Sequence, residues 1–318
     1  MVWLTWRQHR AEALGGLLAL AAVAAILLAV GLPAHHAYGN NGVATCAAQL
    51  HTSQSCSDVI RQFTVRYYNG VATLIGWLNF LPAFIGVFVG APLLAREFEQ
   101  GTWRLAWTQA VPRTRWLAVK LVLLVAAVVA LAAALTALFT WYRSPFDQLQ
   151  GRMGAGAFDF EGLAIFAYML FAFGLGTLAG VLIRRTVVAM AATLGGFIAV
   201  RLPVELLLRP HYQHPVTLIS DSPDNTGVAR TGFEISHNMV DSSGRVLTDF
   251  QESHVLNTVP RSVHDPRTWL TAHGYHWREV FQPASRFWHF QLTEAAIFIG
   301  LAAILLASAV WLLRRRVG

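Results

Sequence analysis

Between residues 95 and 120 two long apolar runs are separated by a segment dense in charge: Arg96, Glu97, Glu99, Arg104, Arg113, Arg115 and Lys120. Phe98, Trp103, Leu105 and Trp107 alternate with those charges. That is the pattern of a half-buried amphipathic element, since a solvated linker is poor in aromatics. Gly101-Thr102 would break or cap a short helix within it. The chemistry on offer is recognition, a charged surface on which a soluble partner could dock. The competing reading is a solvated loop whose positive charge only fixes topology.

Other residue types invite chemistry and limit it. Arg201 and Glu205 stand at i and i+4 near the end of an apolar run, where they can pair with each other. A pathway role is the alternative for ionisable groups at membrane depth. Cys46 and Cys56 share one polar loop, in which a loop-closing disulfide or two free thiols are both open. Histidines occur in close pairs, His35/His36, His211/His214 and His273/His276. Two ligands fall short of a zinc site, so the expectation is no metal. The single lysine, Lys120, follows Val119, which excludes Gly-x-x-x-x-Gly-Lys-Ser/Thr and with it a built-in ATP site of that kind. No His-Glu-x-x-His helix or Gly-x-Ser-x-Gly elbow is present, and the expectation is that the chain is not an enzyme.

The elements that must carry these residues are membrane spans. Of 318 residues 55% are hydrophobic and 13% charged, against about 25% charged in soluble domains. A crossing needs about 20 apolar residues, and six runs meet or approach that: 13–32, 70–94, 121–141, 162–183, 186–208 and 295–313. With the N-terminus inside, the inner segments hold Arg7, Arg10, Arg96, Arg104, Arg113, Arg115, Lys120, Arg184, Arg185 and Arg314 to Arg316, against only Glu12, Glu97 and Glu99. The positive-inside rule favours that orientation. The formal charge of +7 thus follows topology, and no nucleic-acid stripe is formed.

Around the spans, residues 1–12 fit an interfacial amphipathic helix or an ordinary basic and aromatic flank. Pro82 and Pro92 should kink or end the second span. Gly86-x-x-x-Gly90 and Gly176-x-x-x-Gly180 permit close helix contact, within one bundle or at a dimer seam. Residues 209–290 are rich in Pro, Asp, Asn, Ser, Gly and His. Alternation at Gly232-Phe-Glu-Ile and Gly244-Arg-Val-Leu-Thr predicts strands there, with Trp269, Trp277, Phe281, Phe287 and Trp288 as core or interface residues. The expected architecture is an all-α polytopic membrane protein with six transmembrane helices. Both termini are cytoplasmic, residues 95–120 form a cytoplasmic loop, and a small α/β or β-containing extracellular domain separates helices 5 and 6.

The run Ala95-Arg-Glu-Phe-Glu-Gln-Gly-Thr-Trp-Arg-Leu, then Val111-Pro-Arg-Thr-Arg-Trp and Lys120-Leu, resembles the first cytoplasmic loop of ABC-2 type transporter permeases. Glu97 to Thr102 stands for that family's Glu-x-x-x-Gly-Thr pattern, while Val111-Pro112-Arg113 departs from its Pro-Val-Ser-Arg-like order. The stretch Phe281-Gln-Pro-Ala-Ser-Arg-Phe-Trp-His-Phe-Gln and the N-terminal Trp-Arg-Gln-His-Arg resemble actinobacterial members. The resemblance implies a permease subunit of an ABC exporter in a cell membrane, that of a bacterium. It implies a second permease, identical or not, and separate subunits that bind ATP and magnesium, so that this chain needs no cofactor. On it, Arg96, Glu97, Glu99, Arg104, Arg113 and Arg115 would contact the ATPase, Gly101 and Thr102 would shape the turn, and spans two and five would line the path. The reading from another class is a membrane sensor or immunity protein whose outer domain binds a ligand.

Overall fold

Residues 1–12 contain neither glycine nor proline, so nothing halts helix propagation between the polar flank and the first apolar run. In the computed structural model, which describes residues 2–48, 54–100, 113–221, 231–263 and 265–316, α1 is continuous from Val2 to Asn40. From Val2 onward, the stretch expected as an interfacial helix or a flank is continuous with the helix of the first span. After α2 (Val43–Ala48) and α3 (Gln54–Tyr67), the second span is assembled from pieces: α4 (Asn69–Leu78), α5 (Leu81–Ile85), a π-helical turn (Gly86–Gly90) and α6 (Pro92–Glu99). Each proline opens a new piece, where its missing N–H costs no helical hydrogen bond. The wide turn between them is closed by the Ala91 N–H donating to the Gly86 carbonyl at 2.8 Å.

The third span lies in α7 (Arg113–Gln150). Its 38 residues rise about 57 Å at 1.5 Å each, so it projects beyond a hydrocarbon core of about 30 Å and well past the expected 121–141. A short α8 (Ala155–Phe158) leads to the fourth span, α9 (Ala164–Ile183). Arg184, at φ 58°, and the extended Arg185 then turn the chain into α10 (Thr186–Pro203). A π-helical turn (Val204–Leu208) and a 3-10 turn (Arg209–His211) complete the fifth span. Among the described residues six helical stretches are long and apolar enough to cross a membrane, the last being Ala284–Arg315.

α9 is the axle of the bundle: 67% of its most apolar window is buried, against 17% in the first and last spans. It reaches that burial because both small-residue motifs meet on it. A Cβ added at Gly90 would lie 2.7 Å from the Phe173 carbonyl oxygen, and one at Gly180 2.6 Å from that of Ala91. The two motifs thus form a seam inside one bundle, between spans two and four. Phe171, Phe197, Phe290 and Phe298 fill the space between spans four, five and six. Leu18, Val122, Val187, Leu206 and Ile304 stay exposed, an arrangement suited to hydrocarbon rather than water.

Between spans five and six β1 (Val216–Ser220), β2 (Phe233–Val240), α11 (Asp249–Thr258), α12 (Pro266–Ala272) and β3 (His276–Gln282) form a small α/β unit. The sheet is antiparallel with β3 central, ordered β1-β3-β2, and carries an irregularity at Glu234/Ser236. Met239, Leu247, Val255, Leu270 and Trp277 are its core. The strand expected at residues 244–248 shrinks to one bridge, Val240 to Val246. Asp241 is the reason. Its Oδ1 accepts from the backbone N–H groups of Ser243 and Arg245, which bends the chain at Gly244 (φ 80°). The Ser243 hydroxyl, which also donates to Oδ1, and then those backbone groups hold the Asp241 carboxyl below its ordinary range. Thr248 and Gln251 then build a capping box that starts α11. The sixth span, α13 (Phe287–Arg316), starts at Phe287, eight residues before the expected 295.

Candidate functional site

The charged end of the second span is built inward. Lys120 is buried on α7 and donates to Glu97 Oε1 at 2.7 Å and to the Leu93 carbonyl at 3.4 Å. This joins the end of span two to the start of span three. Two residues on, Glu99 accepts from the Thr186 backbone N–H at 3.0 Å and from its hydroxyl at 2.6 Å. α10 has no cap from its own Arg185, so Glu99 supplies from another helix the acceptor and the negative charge that a helix start favours. Between them the Arg184 guanidinium lies 5.3 Å from the Phe98 ring centroid. Spans two, three and five, and the turn after span four, therefore meet at Ala95 to Gln100.

Of the residues expected to meet a partner, Arg96 is exposed and Glu97 and Glu99 have these intramolecular ties. Arg113 and Arg115 lie in the first turn of α7. Gly101, Thr102 and Arg104 lie outside the described residues. Lys120, read from sequence as part of the charged surface, is instead its anchor. Cys46 and Cys56 are joined in a disulfide, their Cα atoms 5.2 Å apart.

The opposite end of the bundle holds a second constellation, of which sequence reading found only Arg201 and Glu205. These two do pair, at 3.1 Å, but as one edge of a larger network. Asp159 Oδ1 accepts from Arg201 and Arg209, both at 2.8 Å. Glu294 on α13 takes Arg209 through both carboxylate oxygens at 2.9 Å, the bidentate geometry that gives guanidinium–carboxylate pairs their strength. The Tyr168 hydroxyl donates to Glu294 at 2.5 Å and receives Arg209 at 3.1 Å. Rings cover the guanidinium faces, Tyr168 at 4.2 Å from Arg201 and Phe158 at 4.3 Å from Arg209. Tyr212, just past the fifth span, donates to Glu294 at 3.3 Å. Burial and then the Glu294 charge push its phenol above the ordinary tyrosine range.

Two residues along, Glu161 receives Arg143 and Arg152, both at 2.8 Å. The loop 158–161 thus ties span three to spans four, five and six. Gln291 of α13 completes the joint: its Oε1 accepts from the Leu163 and Ala164 backbone N–H groups at 2.9 and 2.8 Å, and its Nε2 donates to Phe158 at 2.6 Å. The helix start at α9, which has no cap of its own, is capped from the sixth span. The sequence signal for this network was available in part. Asp159, Glu161 and Glu294 are acids flanking apolar runs, and such groups need partners. Which arginines they take is set by the bundle.

Among the described residues no group of three or more His, Cys, Asp or Glu side chains could hold a metal ion. What the two ends do is fasten helices together, one where the second span ends and the other beside the start of α9. No curated protein and no solved structure matches the chain. Residues 17–209 match the family described as ABC-2 membrane transporter related. That stretch runs from within the first span to near the end of the fifth and includes the charged segment 95–120, so the match and the six apolar helices agree: the chain belongs to the ABC-2 membrane transporter related family and is a multi-pass membrane permease of the ABC-2 type.

Proposed function

We propose that this permease is the membrane half of an ATP-coupled exporter, driven by a separate ATP-binding subunit that engages the loop 95–120. The observation that carries the reading is the joint at Ala95 to Gln100, where Glu97–Lys120 and Glu99–Thr186 tie the loop's start to spans two, three and five. A push delivered to residues 101–112 is shared by those spans at once. Arg96, Arg104, Arg113 and Arg115 supply charged contacts to the subunit, Gly101 and Thr102 its turn, and Glu97 and Glu99 hold the loop to the bundle. ATP and magnesium belong to that subunit, and this chain carries no catalytic site. Two permease copies, identical or paired with a related chain, complete the transporter. The basic residues at the Lys120 end orient both termini and the loop towards the cytoplasm of a bacterial cell, with the sheet unit outside. The resemblance of 281–291 to actinobacterial members supports that setting.

Co-expression with an ATP-binding subunit encoded beside this permease tests the proposal, and the absence of any such neighbouring gene would count against it. The two co-purify, and Arg104→Glu lowers their association at least tenfold while the permease stays monodisperse. A permease that never associates with such a subunit, and whose sheet unit instead binds a ligand, would support the sensor reading.

A further inference from the structure

Among the described residues four buried side-chain polar atoms have no hydrogen bond. Three of them belong to one network, Asp159 Oδ2, Arg201 Nη1 and Arg209 Nη1, and the fourth is the Thr136 hydroxyl. The two nitrogens weigh most, because a buried charged donor without an acceptor is costly. Both guanidinium groups are deeply buried, their side chains 9% and 1% exposed. Tyr168 and Phe158 close their faces, and Nη2 of each donates to Asp159. Each Nη1 is left on the side of Glu205. Arg201 Nη1 lies 3.1 Å from Glu205 Oε2 and 3.5 Å from Glu294 Oε1, in neither case aligned as a hydrogen bond, and Arg209 Nη1 lies 3.9 Å from Glu205 Oε1. Glu205 cannot serve both well, since its own backbone holds it four residues from each. It is also the acid of this network that reaches the surface, 25% exposed against 3% for Asp159 and 0% for Glu294. Leu202 and Leu208, three residues to either side, are 47% and 50% exposed, so Glu205 is approached across an apolar face.

We propose that Arg201 and Arg209 form a binding site for the oxyanion of an anionic amphiphile, a carboxylate or phosphate on an apolar tail, and that Glu205 occupies this site as a displaceable internal substitute. The site concerns binding alone and does not depend on the coupling to ATP. Charge requires the exchange. Asp159, Glu205 and Glu294 stand against Arg201 and Arg209, three acids to two bases. An anion added beside Glu205 would raise that surplus from one negative charge to two, whereas an anion that replaces Glu205 leaves it unchanged. An ammonium group is the poorer match, because it would rest against Glu205 from outside and leave both Nη1 donors as they are. A free oxyanion can set one oxygen on each Nη1, the two-point contact by which guanidinium groups take carboxylate and phosphate. Displacement turns the Glu205 carboxylate towards the surface it already borders, and the exposed leucines receive the tail.

The test uses the purified full-length protein in an uncharged maltoside detergent, with dansyl-undecanoic acid as a fluorescent carboxylate amphiphile. Dodecyl phosphate should displace the probe from the wild-type protein, while dodecyltrimethylammonium and inorganic phosphate should not. The first contrast isolates the oxyanion from the tail, and the second separates an amphiphile from free phosphate. Glu205→Ala removes the internal competitor and should tighten probe binding at least tenfold, a gain that a misfolded protein does not give. Asp249→Ala, which removes an exposed acid of the sheet unit, should leave the affinity unchanged. Displacement by the ammonium amphiphile as effective as that by dodecyl phosphate overturns the proposal, and this comparison needs no variant. Affinity unchanged or weakened in Glu205→Ala overturns it too, as does an equal gain in Asp249→Ala or the absence of saturable binding in both wild type and Glu205→Ala.

Discussion

Lys120 and Arg209 are the cations on which the two ends of the bundle turn, and each is buried with carboxylate partners. Removing one member of a buried pair strands the other, at about 3–5 kcal/mol, whereas replacing both can be close to neutral. Arg209→Met should therefore lower the thermal unfolding midpoint in detergent markedly, and Arg209→Lys should rescue little. A lysine keeps the charge but cannot engage both oxygens of Glu294 while also reaching Asp159. At the other end, Lys120→Met and Glu97→Gln should each destabilise, and the double variant should melt above the sum of the two. A strictly additive double would mean that the 2.7 Å contact between them contributes nothing of its own. In sequence Lys120 was conspicuous as the sole lysine, but its burial was not. That depends on α7 bringing position 120 against Leu93 and Glu97.

Among the elements, the contact between spans two and four is the tightest place to probe. Gly176 has the backbone of Gly86 and Ala91 where a side chain would go, so even one methyl group must move main chain. Gly176→Ala should cost about 1–3 kcal/mol as overpacking, while Gly195→Ala, with nothing within 4 Å, should raise the melting temperature slightly or leave it unchanged. Equal effects would refute the seam. The Cys46–Cys56 bridge joins α2 to α3 across a sequence separation of 10. Loop-closure entropy assigns such a bridge about 3 kcal/mol, so Cys46→Ser should speed proteolysis between α2 and α3 without unfolding the bundle. The six apolar stretches were legible because length and apolarity suffice to find them, but their limits were not, since α7 and α13 run past the expected 121–141 and 295–313. The joints within spans were legible only in part: Pro82 and Pro92 announced a break, but not the π-helical turn that repairs it. The caps on α9 and α10 were not legible, since Gln291 and Glu99 come from 127 and 87 residues away.

For the whole molecule, the proposed orientation can be tested by labelling. In a background with Cys46 and Cys56 replaced by serine, Ser243→Cys should react with an impermeant maleimide in intact cells, and Gln100→Cys only after permeabilisation. The reverse result would invert the proposed orientation and remove the loop from any cytoplasmic partner. Hydrophobic run length and the motif at residues 95–120 sufficed for the membrane class, the six helices able to cross and the family, because each is a local property of the chain. The tertiary structure alone decided what the charges do. Ionisable groups in a low-dielectric bundle must find opposite charges or pay a large desolvation cost, and the partners of Asp159, Glu294 and Lys120 stand 23 to 85 residues away. No local pattern encodes such pairings; they exist once the helices have packed.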